Sequence, residues 1–255
     1  MKGLVIKDLM CLRKQGIVFM YVVIATVVLA VMFVLSSQFG NIYIGNQQMI
    51  AENQLSGVDI KNLSSMMLDF FMMLPIALVG DVATIFLYDG KAGFGNVSAT
   101  LPLPIYKRVM AKYLTVLMMF GIGVGVDLVI SFVLTLLTDI VTFTDFLGII
   151  LSFASVMSIY GSLTILFCLV LGYGKESYAQ LASLFVMGVA AVTVNIKKIN
   201  LFISATDGDA SLGVVNDLIE FIKHRFYILL VIAAVTMFLS YLGAVIAAKR
   251  KRGMI

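Results

Sequence analysis

The sequence predicts an all-α integral membrane protein, because three observations agree. Six apolar segments are each about as long as a helix that crosses a bilayer, which needs roughly 20 apolar residues. Of the 255 residues, 61% are hydrophobic and 13% are charged, whereas a soluble domain carries about 25% charged residues. The basic residues gather at segment ends, on alternate sides. The six predicted spans cover residues 17–36, 63–88, 109–138, 146–172, 178–195 and 226–248.

The distribution of Lys and Arg predicts the orientation of these spans. The N-terminal segment, the second and fourth connections and the C-terminal tail hold 13 of the 18 basic residues. The positive-inside rule therefore places both termini in the cytosol. Most connections are short, so residues 1–255 form a single transmembrane domain without room for a soluble catalytic domain. The net charge of +4 reflects this orientation and does not indicate nucleic-acid binding.

Residues 2–15, before the first span, predict an interfacial helix. Basic residues are the expected anchors at the membrane surface: Lys7, Arg13 and Lys14. Lys7 and Lys14 share one face of this helix, and the apolar residues share another: Leu4, Val5, Leu9 and Leu12. A basic amphipathic helix beside a span lies flat on an anionic leaflet.

Special residues inside two spans predict local features. Pro75 and Gly80 predict a kink or a freed backbone carbonyl in the second span. Gly121 and Gly125 have the GxxxG spacing that permits close approach of helices in the third span. Residues 196–225 predict a long external loop with apolar residues at helical spacing.

The second connection, residues 89–108, is the cytosolic loop with the most sequence content. A short helix is expected near 94–101, where Leu-Pro-Leu-Pro ends it. Basic and aromatic residues then anchor the third span at the interface: Lys107, Arg108, Lys112 and Tyr113.

This loop resembles that of the small ABC-2-type permease subunits of bacterial ABC transporters. The family pattern is an acidic residue, a Gly/Lys-rich turn, an aromatic residue, Leu-Pro, basic residues and Lys-Tyr. The matching residues are Asp89, Lys91, Gly93, Leu101, Pro102, Lys107, Arg108, Lys112 and Tyr113. Phe94 stands where the family commonly has Trp. Within the family, the chain is most similar to permeases that export amphipathic peptides such as phenol-soluble modulins.

The resemblance implies a cytosolic coupling helix that docks on a separate ATP-binding subunit. The residues it assigns to docking are Gly93, Phe94, Gly95, Asn96, Ser98, Leu101 and Pro102. Small residues allow close approach and Phe94 offers an aromatic anchor. The family also implies a second permease copy, identical or related, and a bacterial cytoplasmic membrane.

The chain itself has no nucleotide site, so we expect a permease that is not an enzyme and binds no cofactor. The segment at 172–177, Gly-Tyr-Gly-Lys-Glu-Ser, fails the P-loop pattern because Glu176 separates Lys from Ser. ATP and Mg²⁺ are therefore expected on the partner subunit. The sequence has no HExxH motif and no metal-ligand spacing, so nothing in it indicates an intramembrane enzyme.

Three carboxylates lie inside predicted spans. Asp81 and Asp127 are candidates for the translocation path, where they would attract a lysine-rich amphipathic peptide, and Asp69 lies nearer the outer surface. A structural carboxylate between helices is the competing interpretation. Because intramembrane Asp residues also serve ion- or proton-coupled secondary transporters, that mechanism is the alternative function.

Overall fold

The computed structural model describes residues 2–39, 57–79, 82–92, 103–137, 142–172, 174–204 and 225–252. These ranges contain helices and no strand, as the all-α prediction requires. The helices are α1 (Lys2–Cys11), α2 (Arg13–Phe39), α3 (Gly57–Val79), α4 (Ala83–Lys91), α5 (Ile105–Leu137), α6 (Phe143–Leu171), α7 (Glu176–Ser204) and α8 (Phe226–Arg252).

Four described helices contain a stretch that is long and apolar enough to cross a membrane. These stretches are Gly16–Ser36, Ile105–Leu137, Phe143–Leu171 and Phe226–Arg250. Large apolar side chains cover the outside of the bundle; Leu136 is 73% exposed, for example. Such a surface is expected where lipid acts as the solvent, so the chain is a membrane protein. The predicted spans at 63–88 and 178–195 are not among the four stretches, and the count of six spans stays a prediction.

The helix before the first span is shorter than predicted. It ends at Cys11, and the N–H of Leu12 is shared between the carbonyls of Asp8 at 3.2 Å and Leu9 at 3.1 Å. Arg13 and Lys14 therefore open α2 and do not belong to α1. The inward face of α1 is formed by Val5 and Asp8, and Leu12, just after the helix, continues it at helical spacing.

The second predicted span, 63–88, is not one helix in the structure. Helix α3 runs through Pro75 and ends at Val79, and α4 begins at Ala83. Because Pro75 has no N–H, the carbonyl of Phe71 loses its usual partner in the helix. Gly80, which follows α3, is a poor helix former. Pro75 therefore lies within α3, and Gly80 lies between the two helices, outside the described residues.

Helix α6 is the centre of the bundle and packs against α3, α4, α5, α7 and α8. Gly161 permits the close packing, since a Cβ there would lie 3.1 Å from Cγ2 of Val82 and 3.5 Å from the Phe120 ring. The ends of α6 are fixed by local chemistry. Thr142 caps the first turn through the N–H of Asp145, and Gly172, with φ of 93°, ends the helix.

The predicted close approach at Gly121 and Gly125 involves no other helix among the residues that the structure describes. Both glycines lie on the outer face of α5, where a Cβ at either would meet nothing within 4 Å. The buried glycine of this stretch is Gly123, which lies between them on the inward face. GxxxG spacing makes close approach possible, but the apolar stripe of α5 turns the other side of the helix toward the core.

Candidate functional site

Four side chains form a closed ring of alternating charges where α1, α4 and α5 meet. The Lys7 ammonium lies 2.9 Å from Asp8 and 2.5 Å from Asp89. The Lys112 ammonium lies 3.0 Å from Asp8 and also pairs with Asp89. Each carboxylate thus has two ammonium partners, and each ammonium has two carboxylates. We call these four residues the charge ring.

The sequence places the ring residues at this junction by simple helix geometry. Lys7 and Asp8 lie in the second turn of α1, with Asp8 between Val5 and Leu12 on the inward face. Asp89 lies in the last turn of α4, and Lys112 lies two turns into α5. The ring therefore joins three separate helices through side chains alone.

The two carboxylates of the charge ring are buried. Asp8 is 1% exposed and Asp89 is 2% exposed. Buried charges are tolerated when they are paired and hydrogen-bonded, which is the arrangement here. The ring has no net charge, and Lys112 also lies over the Phe86 ring at 5.2 Å from its centroid.

Electrostatics within the ring favour the charged form of Lys7. Burial of the ammonium acts to lower its pKa, but hydrogen bonds to Asp89 and Asp8 more than offset that effect. The pKa of Lys7 is therefore raised above its ordinary value. Lys7 therefore stays protonated throughout the physiological pH range.

The ring lies at the base of the predicted coupling loop, 89–108. Asp89 belongs to the helix that leads into the loop, and Lys112 belongs to the helix that leaves it. Their ion pair brings the two ends of this connection together. Ala92 donates its N–H to the Tyr88 carbonyl at 2.9 Å, and Pro104 accepts from Lys107 at 3.1 Å, so the flanking helices are well formed. The predicted docking residues, 93–102, lie outside the described residues.

The other predicted interfacial anchors divide into two groups. Lys107 is exposed at the first turn of α5, as an anchor should be. Tyr113 instead is buried, at 4% exposure, between three helices. Its hydroxyl shares a 2.7 Å hydrogen bond with Ser240 Oγ, and the Ser162 carbonyl lies 3.4 Å from the Tyr113 hydroxyl and 3.2 Å from Ser240 Oγ, where it accepts from the hydroxyl that does not donate to the other. The Tyr113 ring meets Tyr241 edge-on with centroids 5.7 Å apart. Tyr113 thus joins α5, α6 and α8.

Asp127 lies in the apolar stripe of α5 and is fully buried, at 0% exposure. It is two turns beyond Phe120 and shares its face, and Phe120 packs at Gly161 of α6. Within the part of the chain that the structure describes, neither carboxylate oxygen has a hydrogen-bond partner. The nearby Ser131 hydroxyl donates to the Leu128 carbonyl.

The other two intramembrane carboxylates differ from Asp127. Asp69 is 5% exposed and accepts from Ser65 Oγ at 3.5 Å. Asp81 lies outside the described residues. No group of three or more His, Cys, Asp or Glu side chains in the described ranges is arranged to hold a metal ion.

One member of the charge ring, Asp8, was missed by sequence reasoning. A signal was available, because Asp8 interrupts the apolar positions of α1 at a spacing that turns it inward. An inward carboxylate on a helix beside a membrane requires a cationic partner. One of its two partners, Lys112, is 104 positions away in the chain, so that pair could not be identified from spacing.

The residues of this membrane domain match a family model described as "ABC-2 family transporter protein" over residues 56–247. The match covers well over half of the chain. The chain belongs to the ABC-2 transporter family. No curated protein and no solved structure gives a significant match. Asp89 and Lys112 lie within the matched residues, whereas Lys7 and Asp8 precede them.

Membership of this family identifies the chain as the permease component of an ABC transporter, which is its membrane component. It implies association with a separate ABC ATP-binding subunit. Of the two transport mechanisms that the sequence left open, family membership supports the ATP-driven one.

Proposed function

We propose that this ABC-2 permease exports amphipathic, cationic helical peptides, of which phenol-soluble modulins are an example, across a bacterial cytoplasmic membrane. Both termini and the loop at 89–108 face the cytosol. The loop docks on the ATP-binding subunit through residues 93–102, with Phe94 as its aromatic anchor. Two permease subunits, identical or related, enclose the path.

The charge ring is the observation that carries the docking proposal. A loop can deliver force to membrane helices only if its ends are firmly held. The Asp89–Lys112 ion pair holds both ends of this loop together, and the buried carboxylate resists separation because it would be left unpaired. Force applied to the loop therefore reaches α4 and α5 together.

Asp127 supports the choice of substrate. A carboxylate near the centre of a membrane helix costs roughly 2.5–3.5 kcal/mol on insertion scales. Asp127 has no hydrogen-bond partner in the described structure that would offset this cost. A path that opens beside α5 would offer this carboxylate to the lysine side chains of a passing peptide. Asp81, which lies outside the described residues, remains a second candidate for the path.

The outer face of α5 supports the pairing of two permeases. Gly121 and Gly125 leave open space there, and apolar neighbours such as Ile122 and Val129 are exposed. Small residues on an apolar surface let helices approach closely in lipid. A second permease is the occupant that this family would supply.

Co-purification tests the proposal. The tagged chain is solubilised from its native host in mild detergent, and we expect an ABC ATP-binding subunit to accompany it. Phe94→Ala should reduce that association or abolish peptide-stimulated ATP hydrolysis. Phe185→Ala is the matched control, since Phe185 is 73% exposed on α7, outside the loop. Full association and full stimulation in the Phe94→Ala variant would show that the docking residues are wrongly assigned.

A further inference from the structure

We propose that the N-terminal helix α1 is a working part of the coupling device, and that the charge ring transmits movement of the loop to it. This inference rests on the proposed docking of the loop at 89–108. It goes further because it assigns a transmission role to Lys7 and Asp8, which precede the residues matched by the family model.

The two charges of α1 reach different sides of the loop. Lys7 bonds Asp89, at the end of α4, with a distance of 2.5 Å. Asp8 bonds Lys112, at the start of α5, with a distance of 3.0 Å. Because neighbouring residues of one helix hold both ends of the loop, the loop base cannot tilt or shift without moving α1.

The ring is suited to move as one unit. Its carboxylates are almost completely buried, so opening any one ion pair would leave a charge without full compensation in a poorly solvated place. Movement of the intact ring therefore requires less free energy than its disruption.

From α1 the movement has a continuous route into the membrane. Leu12 alone separates α1 from α2, and the N–H of Gly16 bonds the Leu12 carbonyl at 2.8 Å across this junction. Helix α2 contains the first membrane span and packs against α3 and α5. Displacement of the loop would thus reach the first span through α1 as well as the third predicted span through α5.

A charge-neutral double variant separates the links of the ring. Lys7→Gln/Asp8→Asn disconnects α1 but leaves the Asp89–Lys112 pair at the loop base. Lys107→Gln is the control, because Lys107 is an exposed cation on the same side of the protein and belongs to no ion pair of the ring. Each variant is purified with its ATP-binding subunit, reconstituted in lipid, and assayed for ATP hydrolysis with and without an amphipathic cationic peptide.

We expect Lys7→Gln/Asp8→Asn to retain the ATP-binding subunit and basal hydrolysis but to lose peptide stimulation and transport by roughly fivefold or more, the range of a modest coupling free energy. Unchanged stimulation and transport would overturn the inference. Loss of the ATP-binding subunit would also overturn it, because α1 would then serve docking and not transmission. If the unaltered chain carries no ATP-binding subunit, the docking proposal itself fails, and this inference fails with it.

Charge inversion keeps the inference testable if that double variant does not fold. Lys7→Asp/Asp8→Lys places like charges opposite Asp89 and Lys112. Adding Asp89→Lys/Lys112→Asp restores the alternation around the ring. Recovery of peptide stimulation in the fourfold variant supports transmission through the ring. A folded fourfold variant that binds the ATP-binding subunit but shows no recovery overturns it.

Discussion

Asp89 and Lys112 form an ion pair across the two ends of one connection, although 23 positions separate them in the chain. Asp89 closes α4 and Lys112 lies near the start of α5. Because Lys7 and Asp8 complete the ring, the pair is not an isolated surface contact. It is the buried base of a loop, and its energetics should resemble those of buried ion pairs rather than those of exposed ones.

Removal of one charge from the ring should destabilise the protein more than removal of two. Lys112→Gln leaves Asp8 and Asp89 with Lys7 as their remaining ring partner, and we expect a loss of about 3 kcal/mol in stability. Asp89→Asn/Lys112→Gln should lose less, because it leaves the neutral Lys7–Asp8 pair. Thermal unfolding in detergent micelles measures both, with Lys107→Gln as the exposed control. With Asp89→Asn measured as the second single variant, a double variant that is as unstable as the sum of the two would show that the charges do not interact.

The contribution of Lys7 to stability should depend on pH at the alkaline end. The folded protein raises the pKa of Lys7 above its ordinary value of 10.5. A raised pKa means that the contribution is fully present below about pH 10 and is lost as pH rises through the folded-state pKa. Melting temperatures of the wild type and Lys7→Gln should therefore differ most near neutral pH and converge above pH 10.5. A difference that is constant from pH 7 to 11 would contradict the assigned ion pairs.

The sequence alone predicted the parts of this structure that depend on local chemistry. Apolar length gives α2, α5, α6 and α8. The short helix that the Leu-Pro-Leu-Pro segment is expected to end, near 94–101, lies outside the described residues. Pro75 and Gly80 pointed to a disturbance in the second predicted span, but propensity cannot decide between a kinked helix and two helices.

Features that depend on how helices rotate against one another were not predictable in this way. A GxxxG pattern does not say which side of α5 faces the core, and the structure places Gly121 and Gly125 on the outer face. Tyr113 follows basic residues, as an interfacial anchor does, yet it turns inward to Ser240. Asp8 and Lys112 are brought together by the packing of α1 on α5, and no local pattern encodes that contact.

Loss of the Tyr113 hydroxyl should weaken the junction of α5, α6 and α8 slightly. Tyr113→Phe removes the 2.7 Å contact with Ser240 and keeps the edge-on contact with Tyr241. Hydrogen bonds between membrane helices contribute roughly 0.6 kcal/mol on average, so we expect a loss of about 1 kcal/mol at most. Thermal unfolding measures it, with Tyr227→Phe as the control, since Tyr227 is 56% exposed. Equal effects at both tyrosines would argue against a buried hydroxyl junction.

Replacement by leucine should lower the stability of the protein at Gly161 but not at Gly125, which lies in the neighbouring helix. Gly161→Leu forces atoms into Val82 and Phe120, where even a Cβ lies at 3.1 to 3.5 Å, and overpacking costs about 1–3 kcal/mol. Gly125→Leu enters open space and replaces glycine in a helix, so the fold of the single chain should not lose stability. Unfolding in detergent compares the two. The Gly125→Leu variant should nevertheless pair poorly with a second permease, which chemical cross-linking in membranes would reveal.

Asp127 should matter for transport more than for stability. Asp127→Asn keeps the size of the side chain and removes the charge, and no hydrogen bond within the described structure is lost. We therefore expect normal amounts of folded protein in the membrane. Export of a lysine-rich amphipathic peptide should fall by about tenfold, because a charge-assisted hydrogen bond contributes about 1.5–3 kcal/mol. Export from cells, normalised to the amount of permease, is the measurement.

Asp69→Asn provides the comparison for Asp127→Asn. Asp69 is also buried but already accepts a hydrogen bond from Ser65, so its replacement should affect folding before it affects transport. If Asp127→Asn exports peptide at the wild-type rate with normal expression, Asp127 has no role in the path. If it fails to accumulate while Asp69→Asn folds normally, Asp127 is a structural carboxylate between helices. Only reduced export by a well-folded Asp127→Asn variant supports the proposal that the Asp127 carboxylate contacts the peptide in the translocation path.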